Sequence, residues 1–235
     1  MLQQKPLRII VKAFIFLKMV FTEHILLKQT LRLLPQKAIF WDEEQALIVA
    51  DVHLGKVGHF RKAGIAIPKS MEQEDLAALS DIIHETKPKS IIFLGDLFHS
   101  DMNNDWDWFV LWRNLFKGIR MILIRGNHDI IHDDFYTKLD FELHDQLYIG
   151  PFLLVHEPLK VAKLALEQRY VLSGHIHPGV SLKGKGKQAV TLPCFYFGDK
   201  QGILPAFGRF TGKVCIMHER TDFVFGVLQN KVIAL

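Results

Sequence analysis

Two kinds of hydrophobic pattern divide the chain. Up to about residue 177, short runs of consecutive apolar residues alternate with amphipathic stretches; past Pro178 the runs become short and alternating. Residues 46–50 (ALIVA), 91–94 (IIFL), 119–124, 152–155 and 170–172 are continuously apolar or nearly so, as expected of strands covered on both faces. Residues 31–34 and 38–41, flanking Pro35, predict two further strands, and Asp42-Glu43-Glu44-Gln45 a polar turn after them. A short helix is predicted through Phe60-Arg61-Lys62, ending near Gly64. A longer one opens at Pro68 and Ser70, where Ser70-x-x-Gln73 has the capping-box spacing. Leu76, Leu79, Ile82 and Ile83 keep one apolar stripe along it, and Pro88 closes it. Residues 105–116 predict another helix, whose Trp106, Trp108 and Trp112 are either core or a base-stacking surface. Beyond Pro178, glycines at 184, 186, 198, 202, 208 and 212 predict hairpins to the end. The early strand–helix alternation argues for an α/β fold, a mixed sheet with helices outside.

Composition narrows the class without fixing the function. The 235 residues suit one large domain, assigned to 21–235. Hydrophobic residues make up 49% and charged residues 23%, which excludes a disordered chain. The net charge of +4 is compatible with a polyanionic substrate and does not require one. With two cysteines only, Cys194 and Cys215, no disulfide framework is expected, and a reducing, cytoplasmic setting fits. Residues 7–21 are apolar but interrupted by Arg8, Lys12 and Lys18. That stretch is too short and too charged to span a membrane, and no small-residue cleavage site follows it. Residues 1–20 therefore read as an N-terminal arm. Met19 is a second candidate start, because the pattern becomes regular only after it.

Candidate chemistry follows each of the five apolar runs. Asp51-x-His53 comes after 46–50, Gly95-Asp96 after 91–94 and Gly126-Asn127-His128-Asp129 after 119–124. His156 follows 152–155, and Gly174-His175-x-His177 follows 170–172. In open sheets, ligands gather at the carboxyl ends of strands. Asp96 has no lysine or arginine nearby in sequence, and a buried unpaired carboxylate is costly, so a cation is the simplest partner. Nitrogen and oxygen donors without thiolates suit manganese, iron or zinc. Two such ions about 3.5–4 Å apart clamp phosphate oxygens for in-line displacement. A carboxylate has two oxygens and a charge, so Asp96 is assigned the bridge between the metals. Asn127 offers an amide oxygen, and His53, His156, His175 and His177 offer imidazoles. His128 is better placed to face the substrate, steady phosphoryl oxygens and protonate the departing alkoxide. Asp129 is assigned to orient His128 or raise its pKa. Each motif alone has a bland reading as a turn, a loop histidine or a chance pair; five in series, each after a strand, do not read as core packing.

Further residues are candidates for substrate contact. His59 and Arg61 follow the first ligand strand closely, and His99 follows Asp96. Lys183, Lys185 and Lys187, set among glycines, make a basic loop suited to a nucleic-acid backbone. Each has a plain alternative: a helix-surface arginine, a histidine behind the metals, a solvated hairpin tip.

The motifs D-x-H, GD, GNH[D/E], H and GHxH, all present here, resemble those of the calcineurin-like metallophosphoesterase superfamily. The resemblance implies a four-layer α/β/β/α sandwich with mixed sheets. It implies Asp51, His53, Asp96 and His177 on one metal, and Asp96, Asn127, His156 and His175 on the other, with His128 as catalytic acid. A narrower likeness runs over about 21–210. It is carried by His53-Leu54-Gly55-Lys56, His59-Phe60-Arg61, Gly95-Asp96-Leu97-Phe98-His99-Ser100, Ser173-Gly174-His175-Ile176-His177-Pro178, Gly184-Lys185-Gly186-Lys187-Gln188 and Leu192-Pro193-Cys194-Phe195. These resemble one bacterial subfamily, the ligase-associated DNA damage response endonucleases (PdeM). That likeness implies manganese-dependent cleavage of DNA, with single strands preferred, in DNA repair alongside a DNA ligase and a helicase. Two other readings stand beside it. One is a phosphomonoesterase or small-nucleotide phosphodiesterase. The other is a non-catalytic interaction module, against which the complete ligand set argues.

Overall fold

The computed structural model describes residues 20–62, 64, 66, 73–99, 104–184 and 188–235, without the side chains of His59, Lys62, Asn104 and Lys183. The arm at 1–19, Ser70 of the expected capping box, and Lys185 and Lys187 lie outside the described residues.

Two sheets pack face to face. The first has seven strands in sequence order: β1 (Thr22–Leu26), β2 (Gln29–Leu33), β3 (Ile39–Trp41), β4 (Ala46–Val49), β5 (Ser90–Leu94), β6 (Arg120–Ile124) and β7 (Phe141–His144). β1 to β4 form an antiparallel meander, and β4 to β7 run parallel. The crossovers between the parallel strands carry α1 (Lys56–Lys62), α2 (Glu74–Thr86), α3 (Asn104–Leu115) and α4 (Asp133–Thr137). The second sheet contains β8 (Gln146–Ile149), β9 (Phe152–Val155), β10 (Tyr170–Ser173), β11 (Pro178–Lys183), β12 (Ala189–Phe197), β13 (Gln201–Ile203) and β14 (Val214–Cys215). Its order is β14-β11-β12-β13-β10-β9-β8, with β15 (Phe223–Val227) on β12 and β16 (Val232–Ala234) on β15. One helix, α5 (Val161–Leu166), links β9 to β10.

Alternation along the central strands explains their unbroken apolar runs. Leu47, Val49, Ile91, Phe93, Met121 and Leu123 point to the α2–α3 side, where Leu79, Ile82, Phe109 and Trp112 complete a core. Their neighbours Ala46, Ile48, Ile92, Leu94, Ile122 and Ile124 point the other way, against Phe152, Leu154, Leu172, Phe195 and Phe197 of the second sheet. A sheet covered on both faces needs apolar residues at every position. On the outer face of the second sheet, Leu153, Val155 and Val171 meet Leu164 of α5. The order of layers is thus α/β/β/α, with the outermost helical layer reduced to α5.

Several elements differ from the sequence reading. β7 and β8 have part-exposed patterns, which broke the expected apolar runs. Gln73 is itself the N-cap of α2 and makes no side-chain capping bond, so it does not close a capping box. Of the α3 tryptophans, Trp106 and Trp112 are buried in the core, while Trp108 is exposed. The stretch past Pro178 does form hairpins, such as β11–β12, but β13 pairs parallel to β10. That pairing leads residues 204–208 across the ends of the central strands. Among the described residues, no helix is long and apolar enough to cross a membrane.

Candidate metal centre

The carboxyl ends of β4, β5, β6, β9 and β10 converge, and their loops are stitched together by backbone bonds. The amides of Asp51, His53 and Leu54 donate to the carbonyls of Gly95, Asp96 and Leu97 at 3.2, 2.9 and 2.9 Å, extending the parallel pairing past the strands. Gly174 donates to His156 O at 3.0 Å, and Gly208 donates to Asp51 O at 3.0 Å. Asp51, His53, Asp96, His175 and His177 all have φ between 51° and 69°. Left-handed backbone is uncommon outside glycine, and strained residues of this kind cluster at functional sites. Three motif glycines, Gly95, Gly126 and Gly174, are required by close approach. A Cβ on Gly126 would lie 2.2 Å from Asp96 Oδ1. One on Gly95, whose φ is +79°, would lie 2.2 Å from His156 Nδ1.

The side chains form two donor groups, Asp51–His53–His177 and Asp96–His156–His175, with His175 the most open. In the first, His177 Nε2 lies 3.4 Å from both His53 Nε2 and Asp51 Oδ1. In the second, Asn127 Oδ1 joins. It lies 3.0 Å from His156 Nε2 and 3.1 Å from His175 Nδ1, and the two nitrogens are 3.1 Å apart. Asp96 spans both groups, with Oδ2 3.7 Å from His53 Nε2 and Oδ1 3.4 Å from His156 Nε2. Its orientation is held by the His128 amide, which donates to Oδ1 at 2.9 Å.

These donors fit metal ions. Metal–nitrogen bonds of about 2.1 Å place neighbouring donors about 3.0 Å apart in an octahedron and about 3.4 Å apart in a tetrahedron, the spacings found here. The ring of His156 donates from Nδ1 to Leu94 O at 2.8 Å, so its Nε2 presents a lone pair. That lone pair, the Asn127 oxygen and His175 Nδ1 make a triangle in which a single proton can serve only one edge. A cation uses all three donors. Burial, helped by Lys56 and the imidazoles of His177, His99 and His128, pushes His53 down to about 2. His53 is therefore neutral, the form that ligates.

The other expected residues divide. His128 sits beside the donors, its ring 5.3 Å from that of His53 and stacked on His99 at 5.1 Å. His99 also meets the His53 ring edge-on at 5.4 Å, so it touches both the donor group and the candidate acid. Asp129, expected to orient His128 or raise its pKa, makes its side-chain hydrogen bonds to backbone amides. Its carboxylate accepts from the amides of Asp96, Leu97 and Phe98 at 2.8, 2.9 and 3.3 Å, and from Gly126 at 2.9 Å. Four backbone donors commit that carboxylate to holding the β5 and β6 loops together. Burial pushes its pKa up to about 6, while the amides of Gly126, Phe98 and Leu97 pull it down. Arg61 is exposed on α1. The side chains of His59, Lys185 and Lys187 lie outside the described part of the chain.

Lys56 has no assigned role in the sequence reading. It opens α1 directly after Asp51-Val52-His53-Leu54-Gly55; burial lowers its pKa, and the carboxylates of Asp96 and Asp51 pull it back up. Its place right after a D-x-H motif is the signal that could have found it. The 204–208 segment, which seats Gly208 against Asp51, lies within the stretch of motif likeness, through Pro205-Ala206-Phe207-Gly208, but was assigned no place at the site.

Residues 45–193, which include every donor above, match the calcineurin-like phosphoesterase family. A nuclease from Pseudomonas putida, MPE, is similar at 32% identity and a TM-score of 0.77, over 92% of this chain and 100% of that one. Yfce, a phosphoesterase from E. coli, is similar at 12% identity and a TM-score of 0.40, over 80% and 96% of the two chains. None of the curated proteins matches.

Proposed function

The chain belongs to the calcineurin-like phosphoesterase family and is a metal-dependent phosphoesterase hydrolase; from that premise, we propose that it is a manganese-dependent phosphodiesterase that cuts single-stranded DNA internally during DNA repair. The observation that carries this reading is Asp96, whose two carboxylate oxygens face separate donor groups. Asp51, His53, His177 and one Asp96 oxygen would hold one ion. Asn127, His156, His175 and the other Asp96 oxygen would hold its neighbour. Divalent cations held there supply charge that polarises a phosphoryl group and acidifies water. His128, beside these groups, binds a phosphoryl oxygen and gives its proton to the departing alkoxide oxygen. Asp129 holds the loop that carries Asp96.

DNA as substrate is supported by the P. putida relative, which is a nuclease, and by the motif likeness to the ligase-associated endonucleases. The same likeness supports manganese and work alongside a DNA ligase and a helicase, and the lack of a disulfide framework fits a cytoplasmic setting. The likeness also leaves Arg61, His59, His99, Lys185 and Lys187 as proposed substrate contacts. A single strand bends easily enough to bring one phosphate between two loops, whereas a duplex resists bending. The test is incubation with manganese and circular substrates. Circular single strands should be linearised and relaxed duplex circles left largely intact. Surviving circles, with linear strands shortened from their ends, would refute internal cutting.

A further inference from the structure

A cleft of about 50 Å³ is lined by His177 together with Lys37 of the β2–β3 turn and residues of segment 206–213. Lys37, Arg209 and Lys213 line it together with Gly208 and Thr211. Three cations from two distant parts of the chain therefore share one cleft that has a metal-ligand candidate in its wall. The turn that carries Lys37 is closed by Leu34, which accepts from the Lys37 amide and donates to Ala38, both at 2.9 Å. The Lys37 ammonium donates to Gly208 O at 3.3 Å and keeps two further N–H donors. Gly208 belongs to the same packing as the metal centre, because its amide bonds Asp51 O.

The acidic groups nearby are Glu74 and Asp75, in the first turn of α2. Glu74 pairs with Arg209, whereas Asp75 is shared between Lys37 and Arg209, with Oδ1 3.9 Å from the Arg209 Nε. Three cations, Lys37, Arg209 and Lys213, against these two carboxylates leave the cleft net positive. Burial lowers the Lys37 pKa to about 8 even though Asp75 pulls it up. A cation held in that state gains from an anion placed beside it.

We propose that this cleft is a phosphate subsite, which takes the backbone phosphate next to the one cleaved at the metal centre. The proposal rests on the nucleic-acid reading above and adds a direction to it: the strand runs past His177 toward Lys37 and Lys213. A substrate with a single phosphate cannot use the subsite, and an oligonucleotide can.

The test uses two variants. Lys37→Gln keeps a side-chain donor for Gly208 O and removes the charge, and Lys213→Gln removes an exposed charge. Binding of fluorescein-labelled oligothymidylate is followed by anisotropy over a range of salt, with calcium replacing manganese. Each variant should bind about three- to tenfold more weakly, and its salt slope should fall by about 0.7, the value for one phosphate no longer neutralised on a single strand. With manganese, the loss of kcat/KM on the oligonucleotide should exceed the loss on bis-p-nitrophenyl phosphate at least threefold and should appear in KM. Variants that bind like the parent with the same salt slope, or that lose equally on both substrates, overturn the subsite. An unaltered protein that fails to bind the oligonucleotide overturns the nucleic-acid reading itself.

Discussion

Asp129→Ala should destabilise the fold as well as the site. The Asp129 carboxylate is the acceptor for the amides of Asp96, Leu97 and Gly126 at 2.8–2.9 Å, and for Phe98 at 3.3 Å. Alanine leaves these donors without it. A buried donor that loses its acceptor costs about 1–3 kcal/mol, and bonds to a charged acceptor are at the strong end. Removing the carboxylate also relieves its own burial, so we take about 1 kcal/mol for each of the three short bonds, or about 3 kcal/mol in all. For a chain of this size, 1 kcal/mol moves Tm by about 2–4 °C, so the expected drop is about 6–12 °C. The assay is thermal unfolding in the presence of a chelator, which separates loop packing from metal binding. Asp129→Asn keeps one carbonyl acceptor and should fall between the parent and the alanine variant. A Tm for Asp129→Ala within about 2 °C of the parent would refute the argument, and would return Asp129 to a role directed at His128.

Three further outcomes are expected. Asp96→Ala should lose metal from both groups, because one carboxylate faces each of them; metal content per chain should fall to less than half that of the parent, with activity abolished, and full occupancy would sink the bridging role. His128→Ala should reduce cleavage of DNA about 100-fold or more while reducing bis-p-nitrophenyl phosphate cleavage far less, because nitrophenolate leaves without a proton. Equal losses would show that His128 supports the metals or binds phosphate instead. Gly126→Ala would set a Cβ 2.2 Å from Asp96 Oδ1 and 2.4 Å from its amide nitrogen. That variant should fold but hold less metal, and parental metal content in it would contradict the close approach.

The site was more legible in the sequence than the fold around it. Asp51, His53, Asp96, Asn127, His156, His175 and His177 each follow a continuous apolar run. Such runs mark strands buried on both faces, whose ends in parallel arrangements point to one edge. The edge elements were harder to read. β7 and β8 carry half-exposed patterns, and α4 and α5 are too short to establish a helical period. The backbone bonds of Asp129 were not legible for a physical reason: adjacency to His128 in sequence says nothing about which backbone amides a folded loop turns toward the carboxylate. The cleft at Lys37, Arg209 and Lys213 gave no signal, since it exists only because β13 pairs parallel to β10 and carries segment 204–213 across the β4 loop.

The central claim is that one carboxylate joins two metal sites on a single chain. It is tested most directly by equilibrating the purified protein with manganese, counting bound ions and recording the electron paramagnetic resonance spectrum. Two ions per chain with the exchange-coupled spectrum of a bridged pair is the expected result. One ion per chain, or two with independent spectra, would contradict the account.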